Sequence, residues 1–208
     1  MIQLFRSRVY PLIFIFFLLI LTAHLGMTWE KPWKDSEVSY SLKREDGHYV
    51  LKATLRVNSD PGCLIQVVFS SYHMQKLMAK DADRIEILHE TPGYYELRSV
   101  HHNKLCRLDT VYSRRLSETD GRIAFELIRC TQESKVAPKL VSSKGYYEIK
   151  PDSKGAILSY YEKTRLEAKR WDPRAMALVK IVARDTVLFL KKIKKYSETS
   201  ACRHAPKK

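Results

Sequence analysis

The residues best equipped for chemistry in this sequence are few and poorly clustered. His101 and His102 are adjacent, and on a strand adjacent side chains point to opposite faces, so the two imidazoles do not share a metal ion. Cys63, Cys106, Cys130 and Cys202 are widely and irregularly spaced, with no CxxC and no Cys/His ligand pattern. Structural zinc and thioredoxin-type chemistry are therefore disfavoured. Asp109, Arg114 and Glu126 sit among apolar neighbours. Any of them turned inward would be a polar anchor, or in an enzyme an acid or base of shifted pKa. A strand with one wet face accommodates them equally well outside. No GxSxG, HExxH, P-loop or GxGxxG occurs, which removes the reaction classes that need those groups at those spacings. No catalytic residue is assigned, and neither a metal nor a cofactor is expected.

The aromatic and aliphatic residues are the better candidates, because they can line an apolar pocket. Tyr147 and Ile149 share one strand face, as do Ile157, Ser159 and Tyr161. Tyr147 and Tyr161 are expected to point inward, where a ring lines the pocket and its hydroxyl orients a ligand's polar end. With Phe125, Ile149, Val182 and Phe189 they make up the predicted ligand-binding set. The competing reading is that these large side chains simply fill the interior.

These residues must be positioned by strands and by one long helix. "VSYSLKRED" and "HYVLKATLRVN", joined at Asp46-Gly47, read as a hairpin. "GCLIQVVFSSYHMQKLMAKD" after Pro61 has the apolar period of one or two short helices. Six strand signals follow, "RIEILHE" through "AILSYYEKTRLE", separated by turn chemistry such as Pro92-Gly93 and Asp120-Gly121. Short connections make them antiparallel neighbours. "WDPRAMALVKIVARDTVLFLKKIKKY" then predicts a helix, with Asp172 capping, Pro173 at the first position, and an apolar stripe at Leu178, Val179, Val182, Val187, Leu190 and Ile193. About 24 residues at 1.5 Å each give a rod of roughly 36 Å. A strongly curved antiparallel sheet can wrap such a rod and leave space for an apolar ligand.

The N-terminus suggests export. Arg6 and Arg8 precede an apolar run from Val9 to Leu21, followed by small residues around Ala23. That length suits a signal-peptide core better than a spanning helix, which needs about 20 apolar residues. Residues 1–23 are read as a signal peptide, with an uncleaved membrane anchor as the alternative, and the mature chain as periplasmic or secreted. Residues 36–196 form the predicted domain and 197–208 a basic tail. Without residues 1–23 the formal charge of +14 falls to +12, by loss of Arg6 and Arg8. Such a surface is either simply a solvated basic one or, in an exported protein, one drawn to anionic lipid or acidic partners rather than to nucleic acid. The basic helix end, Lys191, Lys192, Lys194 and Lys195, followed by Arg203, Lys207 and Lys208, makes docking on an anionic membrane an expectation. Cys106 and Cys130, on neighbouring predicted strands, are the expected disulfide.

"SKGYYEIKPDSKGAILSYYEKTRLEAKRWDP" resembles the START-like, polyketide-cyclase/coenzyme-Q-binding superfamily (SRPBCC, helix-grip), on Gly145, Tyr147, Ile149, Pro151 and Gly155. "LKATLRVNSDPGCLIQVVFSSYHMQKLMAKDADRIEIL" resembles its first strand, helix pair and second strand. Gly62 stands where Glu is common, and an extra strand from Val38 to Arg44 precedes the usual first one. The resemblance implies an α+β fold in which a curved antiparallel sheet grips a long C-terminal helix, with two short helices after the first core strand. It implies a cavity for a lipid or other hydrophobic small molecule, with lipid transport as one use. A cyclase- or dehydrase-type enzyme and a filled-cavity interaction module stay open beside it.

Overall fold

A computed structural model of the chain describes residues 35–102, 106–117, 119–134, 136–169 and 172–201. The signal-segment reading, Cys202 and the last residues of the basic tail lie outside them. In order come strands β1 (Val38–Glu45) and β2 (His48–Val57), helices α1 (Pro61–Phe69) and α2 (Ser71–Met78), and strands β3 (Arg84–Thr91), β4 (Tyr94–His102), β5 (Cys106–Ser117), β6 (Arg122–Ser134), β7 (Lys139–Asp152) and β8 (Gly155–Glu167). Helix α3 (Pro173–Tyr196) follows and runs into a wider turn of π-helical geometry, Ser197–Ala201.

Local chemistry accounts for most of these boundaries. Asp46 and Gly47 both adopt positive φ, 48° and 76°, and turn β1 into β2. Asp60 accepts from the Cys63 N–H at 2.9 Å and Pro61 begins α1. Asp172 caps α3 by accepting from the Arg174 N–H at 2.9 Å, with Pro173 behind it. At the far end both the backbone N–H and the hydroxyl of Ser197 donate to the Ile193 and Lys194 carbonyls, which secures the last turn.

The eight strands form one antiparallel sheet in the order β1-β2-β8-β7-β6-β5-β4-β3. β1 is the extra strand, an edge beyond the usual first one. Bulges between Val111 and Tyr112 and between Leu140 and Ser142 break the register and bend their strands. The curved sheet closes on α3 through Ala175, Val179, Ala183, Val187, Leu190 and Ile193, all buried. This is the helix-grip arrangement. The stripe differs from expectation at one place: Val182 is 43% exposed, because Val179 and Ala183 occupy the face that meets the sheet. α1 and α2 cover the rest of the concave face with Leu64, Val67, Val68, Met74 and Leu77. Among the described residues no helix is long and apolar enough to cross a membrane.

The Cys106–Cys130 bridge is not present. Cys106 pairs across the ladder with Ser134, and Cys130 with Thr110. An offset of four residues is about 13 Å along a strand, far beyond the roughly 7 Å that a disulfide tolerates between Cα atoms. Both are thiols, whereas Cys63 is disulfide-bonded. The basic end of α3 is also less available than its composition implies. Lys191 pairs with Asp35 at 2.6 Å, Lys194 lies 3.7 Å from Glu37, and Lys192 pairs with Asp81. These contacts tie the helix to the segment that leads into β1 and to the loop after α2.

Candidate functional site

A cavity of about 170 Å³ lies between the concave face and the first half of α3. Leu178, Val179, Val182 and Ala183 of α3 form one wall, and Leu51, Leu108 and Leu166 of the sheet face them. Its origin is visible in the ladder. β6 and β7 pair only from Arg122–Glu148 to Glu126–Lys144. Beyond that, β6 follows β5 and β7 follows β8. Gln132 straps the gap: its amide N donates to the carbonyls of Ala137 and Pro138, and its Oε1 accepts from the Leu140 N–H at 3.0 Å.

One charge faces this apolar space, the carboxylate of Glu162, buried with 9% of its surface exposed. Three hydroxyls converge on it. Ser143 Oγ donates to Oε1 at 2.7 Å, Thr164 Oγ1 to Oε1 at 3.0 Å, and Tyr160 OH to Oε2 at 2.7 Å. Tyr112 and Thr164 also line the cavity. Burial first, and then the Glu162 charge, push the Tyr160 and Tyr112 phenols far above the usual tyrosine value. Both are held as neutral hydroxyls.

Below the cavity the concave face is filled by rings. Phe125 stacks on Tyr160 with centroids 5.7 Å apart, and Tyr147 meets Tyr160 edge-on at 5.1 Å and Phe125 at 5.6 Å. Arg114 lies buried beyond them, its guanidinium carbon 5.4 Å from the Tyr147 ring centre and one Nη donating to the Val68 carbonyl at 3.1 Å. Its Nε and the Tyr95 hydroxyl are buried without hydrogen-bond partners.

The predicted set is thereby divided. Val182 lines the cavity. Tyr147 points inward, but with Phe125 and Ile149 it is buried in the packed core, and Phe189 is half-buried against that core. Tyr161 does not point inward. It sits on the convex face, stacked on Tyr146 at 5.2 Å with Lys52 over its ring, because β8 runs in the opposite parity and turns Leu158, Tyr160 and Glu162 inward. Asp109 is also on the convex face, paired with Arg98 at 2.6 Å, and Glu126 is exposed. His101 Nδ1 lies 3.0 Å from the Asp81 carbonyl and His102 is exposed. No group of three His, Cys, Asp or Glu among the described residues could hold a metal ion. Sequence reasoning missed Glu162; the signal was the alternation Leu158, Tyr160, Glu162 in "ILSYYEKT".

No protein-family model matches the sequence, and no curated protein matches it. Solved structures do. A STAR-related lipid transfer protein from Xanthomonas axonopodis aligns with a TM-score of 0.60 at 15% identity, over 78% of this chain and 94% of that one. The Zhui aromatase/cyclase from Streptomyces sp. R1128 aligns with a TM-score of 0.59 at 16% identity, over 73% and 94%. Norcoclaurine synthase from Thalictrum flavum aligns with a TM-score of 0.54 at 11% identity, over 71% and 92%.

Proposed function

We propose that this chain, which has the START-like helix-grip fold, holds a hydrophobic small molecule between its sheet and the first half of α3 and releases it unchanged. The observation that carries the reading is the cavity itself: walls mostly of leucine, valine and alanine, with Tyr49 and Tyr112 among them and one hydrogen-bonded carboxylate facing in. An apolar interior of this size stabilises a guest by removing its carbon surface from water.

The volume bounds the guest. About 170 Å³ is close to the roughly 150 Å³ cavity that accepts benzene, and below the 300 Å³ or so at which drug-sized pockets begin. A ring or short chain fits as the walls stand. Lipid transport, the use named for the Xanthomonas neighbour, needs α3 to move away from the sheet first. Export by residues 1–23 and contact with an anionic membrane belong to this proposal on the strength of the sequence. Three of the four lysines at the end of α3 face carboxylates, so a membrane would have to compete with those pairs.

A cyclase-type enzyme is the second reading. It is favoured by Glu162, Tyr112 and Thr164 all lining the cavity, with Thr164 hydrogen-bonded to Glu162, since a carboxylate there is placed to take up a proton. Conversion of a bound compound into a product of different mass would establish it over simple binding.

The deciding experiment is native mass spectrometry of the full chain from its own expression pool, then solvent extraction and mass analysis. A stoichiometric apolar passenger, or saturable uptake of ethylbenzene by ligand-observed NMR, is expected. An empty protein that takes up no ethylbenzene would overturn the reading in favour of a filled interaction module.

A further inference from the structure

We infer that the cavity is built for a ring-sized apolar body carrying a cationic amine, and against the corresponding carboxylate. This rests on the proposal that the cavity binds a ligand, and adds the chemistry of its polar end.

Counting acceptor sites gives the first reason. Each carboxylate oxygen accepts about two hydrogen bonds. Oε1 of Glu162 already takes Ser143 and Thr164, while Oε2 takes only Tyr160. One acceptor site on a buried carboxylate is left for a donor.

Charge gives the second. No lysine, arginine or histidine among the described residues forms an ion pair with Glu162. The buried cation of the same sheet face, Arg114, donates to the Val68 carbonyl and packs over Tyr147, with the Tyr147–Tyr160 ring pair between it and Glu162. A buried anion satisfied only by neutral hydroxyls retains a desolvation cost that an ammonium group offsets directly. A ligand carboxylate would place two like charges side by side in a largely apolar space, which disfavours its binding.

The remaining polar groups do not compete for the role. The Gln132 side chain is engaged with Ala137, Pro138 and Leu140. The Tyr49 hydroxyl, buried without a hydrogen-bond partner, can bond an amine, an alcohol or a carboxylate alike, and neither it nor the hydroxyls of Tyr112 and Thr164 nor the Cys106 side chain adds a positive charge to hold an anion. Selection at the polar end therefore falls on Glu162.

The test is a matched panel titrated into the full chain by calorimetry or ligand-observed NMR: 2-phenylethylamine, 2-phenylethanol and phenylacetate, which share one ring and a similar length. The amine should bind at least roughly tenfold more tightly than the alcohol, the scale of a charge-assisted hydrogen bond, and phenylacetate should bind more weakly than either. Glu162→Gln should remove the preference for the amine while leaving 2-phenylethanol binding. The wild-type panel stands without that variant, so misfolding of Glu162→Gln would not rescue the inference. Equal binding of amine and alcohol, or preference for phenylacetate, would overturn the inference and leave the cavity proposal intact. Failure of all three and of ethylbenzene would overturn both.

Discussion

The Tyr160 hydroxyl donates to Glu162 Oε2 at 2.7 Å, from two residues earlier on the same strand and the same concave face. Tyr161, one residue between them, faces the other way and makes its contacts with Tyr146 and Lys52. Two adjacent tyrosines thus differ in what their hydroxyls do.

That difference predicts unequal costs of deletion. Tyr160→Phe removes a hydrogen bond to a buried charged group and should lower the unfolding free energy by about 1.5–3 kcal/mol. Tyr161→Phe, on the wet face, should stay within about 0.5 kcal/mol. Urea unfolding midpoints of the two variants check this; equal midpoints would contradict the assigned parity of β8.

Gly145 is required for packing rather than for its φ. A Cβ there would meet the Tyr161 carbonyl oxygen at 2.0 Å, Phe125 Cζ at 2.6 Å and the Glu162 Cα at 2.9 Å. Two of these are backbone and cannot yield cheaply. Gly145→Ala should therefore destabilise by about 3 kcal/mol or more, toward the exceptional end of single substitutions. Gly47→Ala, where the added carbon meets nothing but φ is +76°, should cost only about 1 kcal/mol. Thermal melts of both variants beside the wild type give the comparison, and the order of the two is the point at issue.

Ala183 is buried on α3 and lines the cavity. Ala183→Leu should occupy part of the space that a guest would take. Ethylbenzene affinity should fall by roughly tenfold or more, while the melting temperature stays level or rises, because filling a cavity restores lost van der Waals contacts. A variant that melts much lower would show that the space is too narrow for a guest as well as for a leucine.

Much of this fold was legible because its elements announce themselves locally. The Asp46-Gly47, Pro92-Gly93 and Asp120-Gly121 turns, the capped start at Asp172-Pro173 and the alternation within each strand all follow from short-range chemistry, and the structure has elements at those places. Which face of β8 points inward is another matter. Ile157 and Leu158 are both aliphatic and Tyr160 and Tyr161 are both aromatic, so either parity offers an apolar face and a shift of one residue exchanges them. Only long-range packing on Phe125 and Tyr147 decides it. The cavity was less legible still, since it arises where β6 and β7 part company after Glu126 and Lys144. Composition carries no mark of a ladder that stops.

Thiol counting tests the cysteine assignment. Cys106 and Cys130 are thiols and Cys63 is bonded. A colorimetric thiol titration of the chain in denaturant, without reductant, should therefore detect both Cys106 and Cys130. Peptide mapping after alkylation should find both modified. Recovery of a peptide that joins them would restore the bridge that the strand register forbids.

His73 gives the C-terminal helix a pH dependence. Its Nδ1 lies 2.9 Å from the Tyr196 hydroxyl, with Tyr72 edge-on to the ring on one side and Tyr196 on the other, and Lys76 one turn away. Burial first, and then the Lys76 charge, hold the imidazole below the ordinary histidine value of 6.5. A group whose folded value is lowered takes up a proton on unfolding, so the unfolded chain gains as pH drops below 6.5. The stabilising contribution is complete above 6.5 and is lost as pH falls through the window down to the folded value. The melting temperature should accordingly decline between pH 7.5 and 5.5, and His73→Gln should flatten part of that decline. The loss should also be local at first, because His73 joins α2 to the last turn of α3. Amide exchange in the last turns of α3 should accelerate at pH 5.5 before that of β7 and β8 does. Uniform acceleration across the sheet, or an unchanged slope in His73→Gln, would assign the pH dependence to other groups.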